Sequence, residues 1–165
     1  MTLTTHAVVG AGIAGLFPGN PILAFVAGFL SHFVLDSIPH WDYSLGSARK
    51  DPLNPLNDSM EMGGAFVVDL LKIGLDILLG ISLSLLFFAP TNLDTLLLVF
   101  LGACGGIVPD FLQFAYFKLR IEPFRSLQKF HIWIHARSTL KKYPLPGIVF
   151  QAIVIVAAVA FFSYF

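Results

Sequence analysis

The chain has 165 residues, 56% of them hydrophobic and only 12% charged, with a mean hydropathy of +0.80. A soluble domain carries about 25% charged residues, so this much apolar surface belongs in a bilayer rather than around one small aqueous core. Ten basic residues balance ten acidic ones, which offers nothing to nucleic acid, and a single cysteine, Cys104, excludes an internal disulfide framework and a thiolate zinc site.

The N-terminal stretch MTLTTHAVVG has no Lys or Arg ahead of its apolar run, so it reads as retained rather than cleaved as a secretory signal. Apolar residues 7–17 fall short of the roughly 20 needed to span a bilayer. They read as a partial or tilted helix, extended backwards through Thr4, Thr5 and His6. After the turn Phe17-Pro18-Gly19-Asn20-Pro21, a second apolar segment covers 21–38. Residues 62–89 and 93–117 are each long enough to cross, with Pro90-Thr91-Asn92 as the tight connection, and 146–165 is apolar throughout.

Two stretches are polar, 39–61 and 118–145. Pro123 suits the first turn of a helix. Residues 124–140 read as an amphipathic helix lying along the membrane surface, with Lys129, Trp133 and Arg137 on one face. The expectation is an all-α, polytopic integral membrane bundle with about four to five membrane segments and one amphipathic surface helix, forming a single domain over 1–165.

Charge distribution orients it. Of the ten Lys and Arg, Arg49 and Lys50 lie in the first polar stretch, seven lie in the second, and only Lys72 lies elsewhere. Both polar stretches are therefore expected on the cytoplasmic side, with the N-terminus inside, as in a bacterial or archaeal inner membrane protein.

That topology brings the chemistry-bearing residues to one level. His6 precedes the first segment. His32 and Asp36 close the second, one turn apart on one helix face. His40 and Asp42 follow beyond Pro39. Asp69 and Asp110 lie about 10 Å inside the third and fourth segments by the helical rise, and His131 and His135 recur at i and i+4 on the surface helix. Imidazole and carboxylate against lipid are costly and mark functional sites. Together they form a ligand set for divalent metals. The metal ligands expected are His6, His32, Asp36, His40, Asp69, Asp110, His131 and His135. They suffice for two or more ions, zinc first, with manganese or iron as alternatives. Asp42 or Asp69 would act as general base or orient a ligating imidazole. Lys72–Asp76 is taken as a structural ion pair, leaving Asp69 for the site. Arg120, Arg125, Lys129 and Arg137 would hold an anionic head group or anchor the chain at the surface, and Trp41, Tyr43, Trp133 and Tyr143 would sit at the interface.

The motifs THAVVGA, SHFVLDSIPHWDY, PDF and HIWIH, scattered over most of the chain, resemble those of the LexA-regulated, membrane-bound metal-dependent hydrolase family. That family is discussed beside zinc-dependent phospholipase C, an all-helical fold with a three-metal His/Asp site. Its His-Arg-Gly-x-Thr-His stretch has no counterpart here. The resemblance implies metal-dependent hydrolysis. The reading that follows is a membrane-embedded hydrolase of a lipid or polyprenyl phosphoester, with membrane lipid and a lipid-like phosphorylated substrate as partners. A divalent-metal transporter and a metal-stabilised scaffold use the same ligands differently.

Overall fold

The protein is described from a computed structural model, over residues 1–136 and 140–162. Helix starts follow the turn chemistry of the chain. Asn20 accepts a hydrogen bond from the Leu23 amide at 3.0 Å, with Pro21 at the first helical position, and so opens α2 (Pro21–Asp36). Asn92 and Thr95 cap each other reciprocally at the start of α4 (Leu93–Leu119). The remaining helices are α1 (Leu3–Ala14), α3 (Gly64–Phe88), α5 (Phe124–Ile134) and α6 (Pro144–Phe162).

Three of these, α3, α4 and α6, are long and apolar enough to cross a membrane, which marks a membrane protein. Among the described residues only these three meet that measure, so the expected four to five spans are not confirmed. Helices α1 and α2 have 12 and 16 residues, about 18 and 24 Å of helix, against a hydrocarbon core of about 30 Å. Helix α1 does begin early enough to include Thr4, Thr5 and His6, and every residue in it except Ile13 is buried. It packs against α2, α3, α4 and α6. A helix apolar on all sides can be a core element as readily as a span, and α1 is the core of this bundle.

Glycines allow that packing. A Cβ on Gly102 would meet the Gly10 carbonyl oxygen at 2.4 Å, one on Gly28 would meet the Gly102 oxygen at 2.3 Å, and one on Gly106 would meet the His6 oxygen at 2.2 Å. Backbones of α1 and α2 thus rest directly on α4, in the small-xxx-small manner of membrane helices. This contact sets the level of His6 and His32 against Asp110.

The expected helix over 124–140 stops at Ile134. Beyond it the backbone pairs with the exit of α2 instead: the Ala136 amide donates to the Asp36 carbonyl and the Leu140 amide to the His40 carbonyl, both at 2.8 Å. The polar stretch 39–61 holds a small antiparallel pair, β1 (Ala48–Arg49) with β2 (Ser59–Met60), in register Ala48 to Met60, and a 3-10 turn at Pro55–Asn57. Nothing in the local pattern had marked those two strands.

Candidate metal centre

The chain has five histidines, and all five gather around one carboxylate, that of Asp36 at the end of α2. His6 comes from α1, His32 from α2, His40 from the segment after it, His131 from α5 and His135 from the cap of α5. Asp36 Oδ2 lies 3.1 Å from His32 Nε2 and 3.0 Å from His131 Nε2. Asp36 Oδ1 lies 3.2 Å from His6 Nε2 and 3.7 Å from His40 Nε2. Asp110 Oδ1, on α4, is 3.7 Å from His32 Nε2. His6 and His32 stack with ring centroids 3.9 Å apart, and His40 meets His135 edge-on at 4.9 Å.

Backbone carbonyls fix which nitrogen of three of these rings faces inward. His32 Nδ1 lies 2.8 Å from the Gly106 carbonyl, His40 Nδ1 2.7 Å from that of Ile38, and His135 Nδ1 3.2 Å from that of Ala136. A carbonyl can only accept, so each Nδ1 carries a proton and it is Nε2 that each ring turns to the cluster. This outer hydrogen bond is the usual way a protein orients a metal-ligating imidazole.

The result is a convergence of acceptors. His32 Nε2 and His131 Nε2 stand 3.4 Å apart, both against Asp36 Oδ2. One proton on His131 satisfies the carboxylate but leaves His32 Nε2 facing oxygen. His6, His32 and His40 are fully buried, and both ring nitrogens of His6 and the Nε2 of His40 have no hydrogen-bond partner. The 3.2 Å approach of His6 to Asp36 is off hydrogen-bond geometry. Orphaned buried nitrogens of this kind are expensive. A cation among them removes the conflict. The nitrogen and oxygen donors suit zinc, manganese or iron and exclude a sulfur-ligated site. Two groups have ligand atoms all within 4.8 Å of one another: His32, Asp36, Asp110 and His131, and Asp36, His40 and His135.

The site favours positive charge. The Met1 amino nitrogen lies 2.9 Å from both Asp36 Oδ1 and Asp42 Oδ1. Asp42 Oδ2 is 3.2 Å from His40 Nε2. Burial works against ionisation of Asp42, but His40 and the Met1 amine outweigh it and hold the carboxyl below the usual carboxylate range. Burial depresses the pKa of His135, which favours its neutral, ligating form. Asp110 and Asp42 keep 33% and 39% of their side chains exposed, so the mouth of the site lies at these two carboxylates and its floor at His6, His32 and His40.

Two expectations fail. Asp69 belongs to neither ligand group. Its carboxylate is fully buried and accepts from the amides of Gly46 and Ser47 and from the Ser47 hydroxyl, at 3.1, 2.7 and 2.7 Å. It fastens the loop after Asp42 to α3. The Lys72–Asp76 pair is also replaced: Lys72 Nζ lies 3.4 Å from Asp69 Oδ1, and Asp76 caps α1, accepting from the amides of Leu3 and Thr4 at 2.8 and 3.0 Å and from the Thr4 hydroxyl at 2.6 Å. The sequence spacing i, i+3 and i, i+4 allowed both pairings, and the fold uses the carboxylates for backbone amides far away in the chain.

Among the expected head-group residues, Arg120 turns to the polar loop, donating to the carbonyls of Leu56, Asn57 and Asp58 and stacking on Tyr116 at 4.9 Å. With Arg125, Asn54, Leu56, Asn57 and Tyr116 it lines an open cavity of about 360 Å³. Arg125 and Lys129 are exposed on α5. Arg137 lies outside the described residues.

Two positioning residues were missed. Asp76 is one. The other is Gln151 of α6, whose Oε1 accepts from the Thr2 amide and hydroxyl and from the Thr5 hydroxyl, at 2.8, 2.8 and 3.2 Å, while its Nε2 donates to the Trp41 carbonyl at 2.9 Å. It ties the residues beside His6 to the segment carrying His40 and Asp42. A single amide inside the apolar run 146–165 was the available signal. No family model, curated protein or solved structure matches this chain.

Proposed function

We propose that this chain is a membrane-embedded, metal-dependent hydrolase of a lipid-like phosphoester, as the resemblance to the LexA-regulated membrane hydrolases implies, with its site at the cytoplasmic face of a bacterial or archaeal inner membrane. The observation that carries the reading is the convergence of all five imidazoles on Asp36, with three rings turned by backbone carbonyls to face it through Nε2 and with the buried nitrogens of His6 and the Nε2 of His40 left without a hydrogen-bond partner.

Divalent cations held in such a site neutralise phosphoryl charge and make a water acidic enough to deprotonate near neutral pH. The chain's own residues do the rest. Asp42 is half-exposed at the mouth, beside His40, and is held ionised. It is the group placed to take a proton from the attacking water. Asp36 is enclosed by imidazoles and serves as a ligand. Asp110, also at the mouth, shares the ligand role. As water attacks phosphorus, the phosphorus–oxygen bond to the lipid alcohol breaks and the alcohol leaves with a proton. Arg125 and Lys129, exposed on the same helix as His131, are candidates for the anionic head group.

Transport is the weaker reading. Transporters bind near the bilayer midplane between repeats, whereas here His40 and Asp42 lie beyond a helix end and His131 and His135 close a short surface-type helix of 11 residues.

The test is release of inorganic phosphate from phosphatidate and polyprenyl phosphates, or of a phosphoalcohol from a phospholipid diester, in mixed micelles, by protein loaded with zinc, manganese or iron. Wild type should release product and Asp36→Ala should not. Metal-loaded wild type inert on every ester would overturn the proposal, and metal uptake into vesicles lost in Asp36→Ala would favour transport.

A further inference from the structure

The two ligand groups share one residue and differ in number. His32, Asp36, Asp110 and His131 make four donors; Asp36, His40 and His135 make three. The shared carboxylate presents different oxygens to them. Oδ2 is the oxygen near His32 and His131, at 3.1 and 3.0 Å, and Oδ1 is the one near His40, at 3.7 Å. Four protein donors complete the tetrahedron preferred by zinc, while three leave a coordination position open for water or substrate.

We infer that Asp36 bridges two unequal cation sites: a four-donor site at His32, Asp110 and His131 that anchors the centre, and a three-donor site at His40 and His135 that keeps a free position for the reacting ligand.

This rests on the metal-centre reading proposed above and deepens it by dividing the ligands into two roles. At the three-donor end the Met1 amine lies 2.9 Å from Asp36 Oδ1 and from Asp42 Oδ1, so an ion bound there would displace it. Asp42, with 39% of its side chain exposed and Oδ2 3.2 Å from His40 Nε2, stands at that end. His6 belongs to neither group. It stacks on His32, and its unpartnered Nε2 lies 3.2 Å from the shared Asp36 Oδ1. The supports also differ. The four-donor site is spread over α2, α4 and α5, where His32 is braced by Gly106 of α4. The three-donor site depends on the segment after α2 and the cap of α5, held together by the 2.8 Å bonds Ala136 to Asp36 and Leu140 to His40. The four-donor site has the fuller ligand set and draws it from three helices, so that site should bind its ion more tightly.

The experiment is a Zn²⁺ titration of the full-length chain in detergent, stripped by chelator, with bound zinc counted by elemental analysis and free zinc set by a competing chelator. Wild type should take up two ions per chain in two resolved steps. His40→Ala and His135→Ala should keep the tighter step and lose the weaker one, falling from two ions to one. His131→Ala should lose the tighter step, and Asp36→Asn should lose both. His135→Gln, at a less buried position, serves if His40→Ala does not fold. Loss of both ions together in His135→Gln, or a single uptake step in wild type, would overturn the inference. Two steps with no hydrolysis of any phosphoester would leave the unequal sites standing and remove the hydrolase reading, while hydrolysis with one indivisible uptake step would do the reverse.

Discussion

His32 Nδ1 on α2 donates to the carbonyl of Gly106 on α4 at 2.8 Å, and the same Gly106 leaves no room for a Cβ, which would fall 2.2 Å from the His6 carbonyl oxygen on α1. One glycine therefore seats two histidines: its oxygen orients one ring, and its missing side chain admits the helix carrying the other.

Gly106→Ala should damage both functions at once. Overpacking typically costs about 1–3 kcal/mol, and the obstacle here is the backbone of α1 at His6 and Ala7, which cannot turn aside as a side chain can, so the upper end is expected. Thermal unfolding in detergent should show a clear drop in Tm, and zinc affinity should fall about 10–100-fold, as when an outer hydrogen bond to a ligand is lost. An alanine variant with unchanged Tm and zinc affinity would refute the packing role.

Asp69 separates structural from ligating carboxylates. Asp69→Ala removes the acceptor for the Gly46 and Ser47 amides and the Ser47 hydroxyl, and bonds to a charged group are worth about 1.5–3 kcal/mol each. The variant should lose at least about 2 kcal/mol of stability and retain the wild-type number of metal ions. Elemental analysis beside a melting curve checks this, and a lost ion with an unchanged Tm would return Asp69 to the ligand set.

Asp76 and Gln151 should act through His6 and its neighbours. Removing a cap costs about 0.5–2 kcal/mol, and Asp76 also brings a negative charge to the N-terminus of α1. Asp76→Ala should lower Tm by that measure while leaving metal count intact, and Gln151→Ala should in addition weaken zinc binding at the His40 end, since it frees the Trp41 carbonyl. Chelator competition on the two variants distinguishes them.

Arg120 should matter for the loop rather than the metal. Its guanidinium holds the Leu56, Asn57 and Asp58 carbonyls. Arg120→Met should speed proteolysis within residues 50–58 and leave zinc content unchanged, which limited proteolysis followed by mass spectrometry would show. Slower or unchanged cleavage with loss of zinc would place Arg120 at the centre instead.

The residues differ in how far their partners could be seen from sequence. His32 and Asp36 were legible because a helical pair of polar groups at the end of an apolar run has few uses, and the charge asymmetry brought the other histidines to the same end. Asp69 and Asp76 were misread because spacing reports only neighbours on the same helix; their true partners are Gly46 and Ser47 in one case and Leu3 and Thr4 in the other. The short α1 was legible as a partial or tilted helix, yet its burial among four helices depends on glycine contacts with α4 that no single segment displays. The early end of α5 was hidden for the same reason: Ala136 and Leu140 find acceptors at the last residue of α2 and on the segment after it, which compete with further helix.

Metal K-edge X-ray absorption on the purified, full-length protein tests the central claim most directly. The account predicts a tightly held divalent metal whose scattering shell contains only nitrogen and oxygen, with the multiple-scattering pattern of several imidazoles, and a weakened imidazole signal in His32→Ala. Protein that retains no metal after purification and reloading, or metal bound through the Cys104 sulfur, would contradict it.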